Sequence, residues 1–259
     1  MALGEKLNLA FDLVRAKQSF EDGDPDEKIA EKTMEIIKSL LLTMLPIVVN
    51  RDNVDLQPVD IDNSAEKTTL LQVSTTKEFL NHFSSKEVNF GLAVISLAIA
   101  LEEEFRAKLL RPLGDACKSG RIRPLDLSSL VCRKNENSYP DQTCERYREF
   151  LKGGSERVLF GDLTATWQIL TKERKQVPPL LDEITTWFAE RMNGSPLLDS
   201  AASKAIEELG RLRNQAAHPG KPPVDEISAR KAYTICIERL GEALPVGLIS
   251  EMAKLGNSG

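Results

Sequence analysis

Residues 84–113 read SSKEVNFGLAVISLAIALEEEFRAKLLRPL. The centre of this stretch, GLAVISLAIAL, is apolar all round, and a helix of that kind has to be buried against several neighbours. Ser84 or Ser85 stands where a cap belongs, with Glu87 near the capping-box position. The C-terminal half turns charged through Glu102, Glu103, Glu104, Arg106, Lys108 and Arg111, and Pro112 and Gly114 are expected to stop the helix. The longest apolar run, residues 92–101, is too short to cross a bilayer and has the length of a buried helix segment.

The pattern extends in both directions. Towards the N-terminus, residues 4–19 carry apolar positions at helical spacing. In EDGDPDEKIAEKTMEIIKSLLLTMLP, residues 21–46, Asp24 can cap, Pro25 suits the first turn, Glu27 completes a capping box and Pro46 ends the helix. Residues 50–63 read as a loop, and 65–82 as a helix. Towards the C-terminus, 114–142 reads as irregular, with Pro124 and Pro140. Helices are expected at 143–152, 156–175 and 179–192, then at 196–218 with Asp199 or Ser200 as cap, at 224–244, and near 246–255. The expected fold class is all-α: a helical bundle with a C-terminal core and additional N-terminal helices. The domain reading is 1–83, an N-terminal helical region, and 84–259, a helical domain with a long insertion at about 114–198.

The composition agrees. Of 259 residues, 41% are hydrophobic and only 5% aromatic, a balance that favours helices over a sandwich or barrel. The formal net charge of -5 argues against a general polyanion binder. The charge is uneven, however. Residues 1–60 hold 12 Asp+Glu against 7 Lys+Arg, and residues 105–175 hold 15 Lys+Arg against 9 Asp+Glu. That basic middle either contacts a phosphate backbone locally or is a set of solvated helix faces. Four cysteines, at 117, 132, 144 and 236, include no C-x-x-C pair, and only His82 and His218 are available beside them. No metal site, no cofactor and no disulfide framework are expected. The first twenty residues lack an uninterrupted apolar core of the signal-peptide kind. These features predict a soluble, cytoplasmic protein in a reducing compartment, with no membrane association.

Chemistry concentrates in Arg211-Leu-Arg-Asn-Gln-Ala-Ala-His-Pro-Gly220. Arg213 and His218 are five residues apart, so on a straight helix they point about 140° apart. They can serve one site only if His218 lies at or past the helix end, and Pro219, Gly220, Pro222 and Pro223 place an end there. Ala216 and Ala217 keep the surface thin for a neighbouring helix or subunit, and Asn214 adds a polar group beside Arg213. An arginine fork can hold a scissile phosphate. A histidine can take the proton of a ribose 2′-OH or give one to the leaving oxygen. The structural alternative has Arg213 solvating a helix face and His218 complementing the helix dipole.

Other candidates weigh less. Glu102, Glu103 and Glu104 point about 100° apart in succession, so they read as a solvated or inter-helix cluster with one carboxylate at most available to a site. Gly153-Gly154-Ser155 lacks the Lys-Ser/Thr of a phosphate loop and reads as a helix stop. Tyr139, Tyr147 and Trp167 lie in the basic stretch and either stack bases or fill the core.

RNQAAH resembles the Arg-x4–6-His signature of the HEPN superfamily of small helical domains. The following helix, VDEISARKAYTICIERL, and the apolar-then-acidic helix within 85–113 are similar to those of such domains. The resemblance covers about 85–113 and 199–240. It implies a HEPN-like C-terminal four-helix core and a metal-independent endoribonuclease that leaves a 2′,3′-cyclic phosphate. Arg213, Asn214 and His218 would be the site residues, with RNA as substrate. Arg211 fits the wider spacing, and Arg213 is preferred because Asn follows it. The family pairs two motifs across an interface, and this chain has one, since Lys77 rather than Arg precedes His82 by five. A homodimer or a HEPN partner is therefore implied, as are a prokaryotic defence or toxin–antitoxin setting and a protein regulator or sensor. Some members only assemble with partners, so the resemblance equally allows a catalytically silent interaction module.

Overall fold

A computed structural model describes residues 61, 64–82, 89–119, 139–153, 159–171, 177–218, 221–238 and 241–255. Every regular element among them is helical, and the protein is all-α. The expected helices at 4–19 and 21–46, and the caps Ser84, Ser85 and Glu87, lie outside the described residues.

The helices are α1 (Lys67–His82), α2 (Gly91–Phe105), α3 (Arg111–Lys118), α4 (Tyr139–Leu151), α5 (Phe160–Thr171), α6 (Pro179–Arg191), α7 (Ser200–Ala217), α8 (Glu226–Ile237) and α9 (Leu248–Lys254). A π-helical turn, Arg106–Leu110, joins α2 to α3, and a 3-10 turn, Pro196–Leu198, precedes α7. No helix among the described residues is long and apolar enough to cross a membrane.

The chain divides into two compact units, each assembled from separated stretches. Among the described residues the first holds Lys67–Ala100 and Arg211–Thr234. The second holds Ile61–Glu66, Leu101–Gly210 and Ile235–Gly259. The unit boundaries fall inside α2, α7 and α8.

In the first unit the apolar half of α2 is buried at every position from Ala93 to Ala100, as an all-round apolar helix requires. Asn89 begins α2: its Oδ1 accepts the N–H of Gly91 at 2.9 Å and that of Val224 at 3.3 Å. The Phe90 N–H donates to the Val224 carbonyl at 3.0 Å, so the start of α8 is pinned to the start of α2. Arg230 of α8 donates to the Leu80 carbonyl at the end of α1, 2.8 Å away.

The second unit is built round Trp167, Tyr147, Phe105 and Phe188, all fully or almost fully buried. Phe188 meets Phe105 and Tyr147 edge-on at centroid distances of 5.7 and 6.2 Å, and Phe105 meets Trp167 at 5.7 Å, the geometry the ring quadrupole favours.

Two expectations are corrected here. Pro112 and Gly114 do not end the helix, which runs through the π-turn to Lys118. A proline inside a helix removes one N–H and crowds the carbonyl four residues back, that of Lys108. The Lys108 carbonyl instead accepts from Arg191 Nε at 3.0 Å, and the wider π-turn just before Pro112 relieves the crowding. Gly114 serves a close approach: a Cβ there would come within 3.3 Å of Phe150 Cζ. The irregular reading of 114–142 fails at both ends, because α3 continues to Lys118 and α4 starts at Tyr139 with Pro140 in its first turn. The remaining helices overlap the expected ones, but the helix expected at 224–244 ends at Ile237, and 196–198 is a 3-10 turn before α7 rather than its first turn. Asp199 is the cap of α7, its Oδ1 accepting the Ala201 N–H at 2.7 Å. Gly153, with φ of 80°, closes α4 in the left-handed conformation that glycine adopts without strain.

Candidate functional site

The site expected at RLRNQAAHPG lies where α7 ends and the chain turns back into α8. α7 finishes at Ala217, and the His218 N–H closes the last turn on the Asn214 carbonyl at 3.1 Å. His218 therefore sits directly past the helix end, the placement its spacing from Arg213 requires. A short turn follows, with the Lys221 N–H on the His218 carbonyl at 3.2 Å. The returning chain is held at several points. Gln215 Nε2 donates to the Pro222 carbonyl at 3.4 Å, Val224 is fixed by Asn89 and Phe90, and Asp225 caps α8 by accepting the Ser228 N–H at 2.7 Å. That bond and the Ser228 hydroxyl hold the Asp225 carboxyl below the usual carboxylate range.

Arg213 is only 7% exposed. Its Nη1 donates to Asn214 Oδ1 at 2.9 Å. Asn214 is thus the common member of the set: its side chain receives Arg213 and its backbone receives His218. The reading of Arg213 as a solvated helix-face cation is overturned, because the side chain is packed inside. Ala216 and Ala217 are also buried, so their small size already serves packing within the chain and leaves no thin surface for a partner.

Arg211 behaves differently. On a helix, positions 211, 214 and 218 fall within about 60° of one another. Arg211 and Asn214 are exposed and His218 is half-buried, whereas Leu212, Arg213, Ala216 and Ala217 are buried. The polar face open to solvent is Arg211–Asn214–His218, with Arg213 turned to the inner side and joined to that face through Asn214. Sequence reasoning preferred Arg213 for its Asn neighbour. The pattern that separates the two arginines was already in the sequence: Leu212, Arg213, Ala216 and Ala217 share the stripe that continues the core positions Leu209 and Ile206.

The other candidates resolve into structural roles. Glu104 is fully buried and its Oε1 accepts the Glu66 N–H at 2.6 Å. Lys108 donates to the Ser64 carbonyl at 2.6 Å and lies 4.0 Å from Glu104 Oε2. Ser64 Oγ in turn reaches the Ala253 carbonyl at 2.7 Å. Glu104 of the acidic run therefore helps fasten residues 64–66, whereas Glu103 pairs with Arg106 on its own helix at 2.6 Å. Tyr147 and Trp167 are 0% exposed, which excludes base stacking for both. The Tyr147 hydroxyl pairs with Thr166 Oγ1 at 2.7 Å and Trp167 Nε1 donates to the Leu197 carbonyl at 2.9 Å. The side chain of Tyr139 lies outside the description, as does that of His82.

A polar constellation that sequence reasoning missed is centred on Asp162, also 0% exposed. Its carboxylate accepts from Arg146 Nη1 at 2.9 Å, from Thr143 Oγ1 at 2.8 Å and from the Leu159 N–H at 2.8 Å. Burial pushes the Asp162 carboxyl up against the opposing pull of Arg146, the Leu159 N–H and Thr143. The available signal was Asp162 in the first turn of a helix, three residues after its cap. Cys144 is disulfide-bonded, to a partner outside the described residues. Cysteine spacing gave no hint of this, since pairing depends on proximity in the fold. Cys236 is buried and free, and burial pushes its thiol up. Among the described residues no group of three or more His, Cys, Asp and Glu side chains is placed to hold a metal ion.

The chain matches no protein-family model, no curated protein and no solved structure.

Proposed function

We propose that the end of α7 is the reactive centre of a metal-independent endoribonuclease of the HEPN type, acting on RNA in the cytoplasm of a prokaryote within a defence or toxin–antitoxin system. The reading is supported by one observation above the rest: Asn214 receives Arg213 on its side chain and the His218 N–H on its backbone, so the three residues are tied together at a helix end. In this mechanism the arginine fork binds the scissile phosphate and balances developing charge. His218 takes the 2′-OH proton or donates to the departing 5′-oxygen, and a 2′,3′-cyclic phosphate remains. Asn214 orients the arginine. The nucleophile is the substrate's own hydroxyl, which restricts the substrate to RNA. A second motif comes from another copy of the chain or from a HEPN partner, and a protein regulator or sensor keeps the activity in check. The Cys144 disulfide opposes a reducing compartment, and alkylating the thiols at lysis tests that placement.

A second reading has its own support. Arg213 is 7% exposed, and a charged side chain is buried in this way only when paired within the fold, as a structural role requires. Under it the protein is a catalytically silent HEPN-like module that assembles with a partner protein.

The deciding experiment compares wild type with His218→Ala on total cellular RNA in EDTA, with purified protein and on induction in cells. The ribonuclease reading expects cyclic-phosphate ends from wild type and a loss of about a thousandfold or more in the variant, with unchanged folding by circular dichroism. Equal cleavage by both proteins removes His218 from the mechanism. No cleavage by either, with growth unaffected, leaves the assembly module.

A further inference from the structure

We propose that the groove between α3 and α6 is a docking site for a basic segment of a partner protein, one that interleaves arginine or lysine with apolar residues. The groove has a volume of about 930 Å³ and lies wholly in the second unit. Its floor is apolar where it is open, at half-buried Pro112 and Ala116 of α3, with Leu113 and Ile184 buried beneath. Trp187 lines it and is also half-buried.

Its walls are acidic on both sides. Asp115 rises from α3, and Glu183 and Glu190 rise from α6 one above the other at i and i+7. All three are exposed, and none makes an ion pair among the described residues. Among the described residues Arg191 is the one basic residue of the lining, and it is committed elsewhere. Its Nε donates to the Lys108 carbonyl left open by Pro112, and its guanidinium lies 5.7 Å from the Trp187 ring centre. The groove thus offers three solvated carboxylates round an apolar floor and an indole. A guanidinium already rests on that indole, the contact an incoming arginine makes with an aromatic wall.

Charge complementarity selects the occupant. A nucleic acid meets three like charges here and is repelled, so this face is separate from any RNA site. Small-molecule sites of similar volume enclose most of their ligand, whereas both walls here are open to solvent. An extended or helical protein segment places apolar side chains on Pro112, Ala116 and Trp187 and cations against the walls, in the helix-in-groove manner.

The test selects a displayed library of random peptides on the full-length protein, with Glu183→Lys/Glu190→Lys as the counter-target. Both positions are exposed, and circular dichroism and the melting curve of the variant verify its fold. Glu190→Gln serves as a milder second variant. The expected result is enrichment of peptides alternating Arg or Lys with apolar residues. A representative synthetic peptide should change the fluorescence of wild type but not of Trp187→Phe, and bind the double variant about tenfold or more weakly. Enrichment of acidic or wholly apolar peptides, no enrichment over the counter-target, or equal affinity for wild type and variant each overturn the proposal. Self-association of the wild type that disappears in the double variant does so too, because a second copy of the chain is then the occupant. None of these outcomes depends on RNA cleavage.

Discussion

Two arginine-centred clusters invite comparison, Arg146–Asp162 in the second unit and Arg213–Asn214 in the first. In the former the carboxylate is the buried partner and the arginine side chain is 27% exposed. Three donors, two from α4 and one from the residue before α5, converge on one acceptor. In the latter the arginine itself is buried, one of its contacts is a neutral amide next to it in sequence, and an exposed asparagine and half-buried histidine adjoin it at a helix end. The first arrangement satisfies a buried charge by joining α4 to α5. The second places its polar groups along one terminus, where the accessible ones face solvent. Burial of a polar residue therefore identifies structural chemistry in one case and accompanies an accessible polar face in the other, and the location of the partners separates them.

Substitutions sharpen that contrast, beginning with the largest effect. Asp162→Ala leaves the Leu159 N–H, Thr143 and Arg146 without their acceptor and should lower stability by about 3 kcal/mol in urea unfolding; under the proposed function, RNA cleavage per folded molecule should be unchanged. A loss of cleavage at full stability would break the distinction. Because burial raises the Asp162 carboxyl in the folded state, its stabilisation is fullest below the unfolded carboxylate value of about 3.9 and declines as pH rises through the raised folded value. The advantage of wild type over Asp162→Asn should therefore narrow between acid and neutral pH.

Arg213→Ala empties a buried site and should cost about 2 kcal/mol, read in the same unfolding assay. Arg213→Lys should retain most of that stability yet lose cleavage if the guanidinium fork holds phosphate, since lysine lacks the bidentate geometry. Asp225→Ala removes the cap of α8 and should cost about 1 kcal/mol at neutral pH. The Asp225 carboxyl is held low, so this contribution is present above about 3.9 and is lost as pH falls through the depressed folded value. Arg211→Ala has the smallest expected effect on stability, within about 0.5 kcal/mol as for other surface substitutions. A drop in cleavage there, with Arg213→Lys still active, would transfer the phosphate contact to the exposed arginine.

Much of this architecture was legible in the chain. The period of the apolar positions located α1, α6, α7 and α8, and Asp199, Pro179 and Gly153 marked ends because capping and glycine chemistry act over a few residues. The histidine at the end of α7 was legible for the same reason. Less local features were not. Pro112 reads as a stop until the π-turn and the Arg191 donor are known, and Tyr147 and Trp167 read as base-stacking aromatics until their burial is seen.

The sequence by itself determined that the described chain is helical, where most helices begin and end, and that His218 stands just past one of them. These follow from side-chain periodicity and backbone geometry within a turn or two. Tertiary structure alone decided that Asp162 centres a buried polar network, that Tyr147 and Trp167 lie wholly inside, and that α3 and α6 leave an acid-walled groove. Each of these depends on which distant residue fills the space beside a side chain. Local periodicity gives the direction a residue faces on its helix, and the neighbour it meets there is set only when the helices pack.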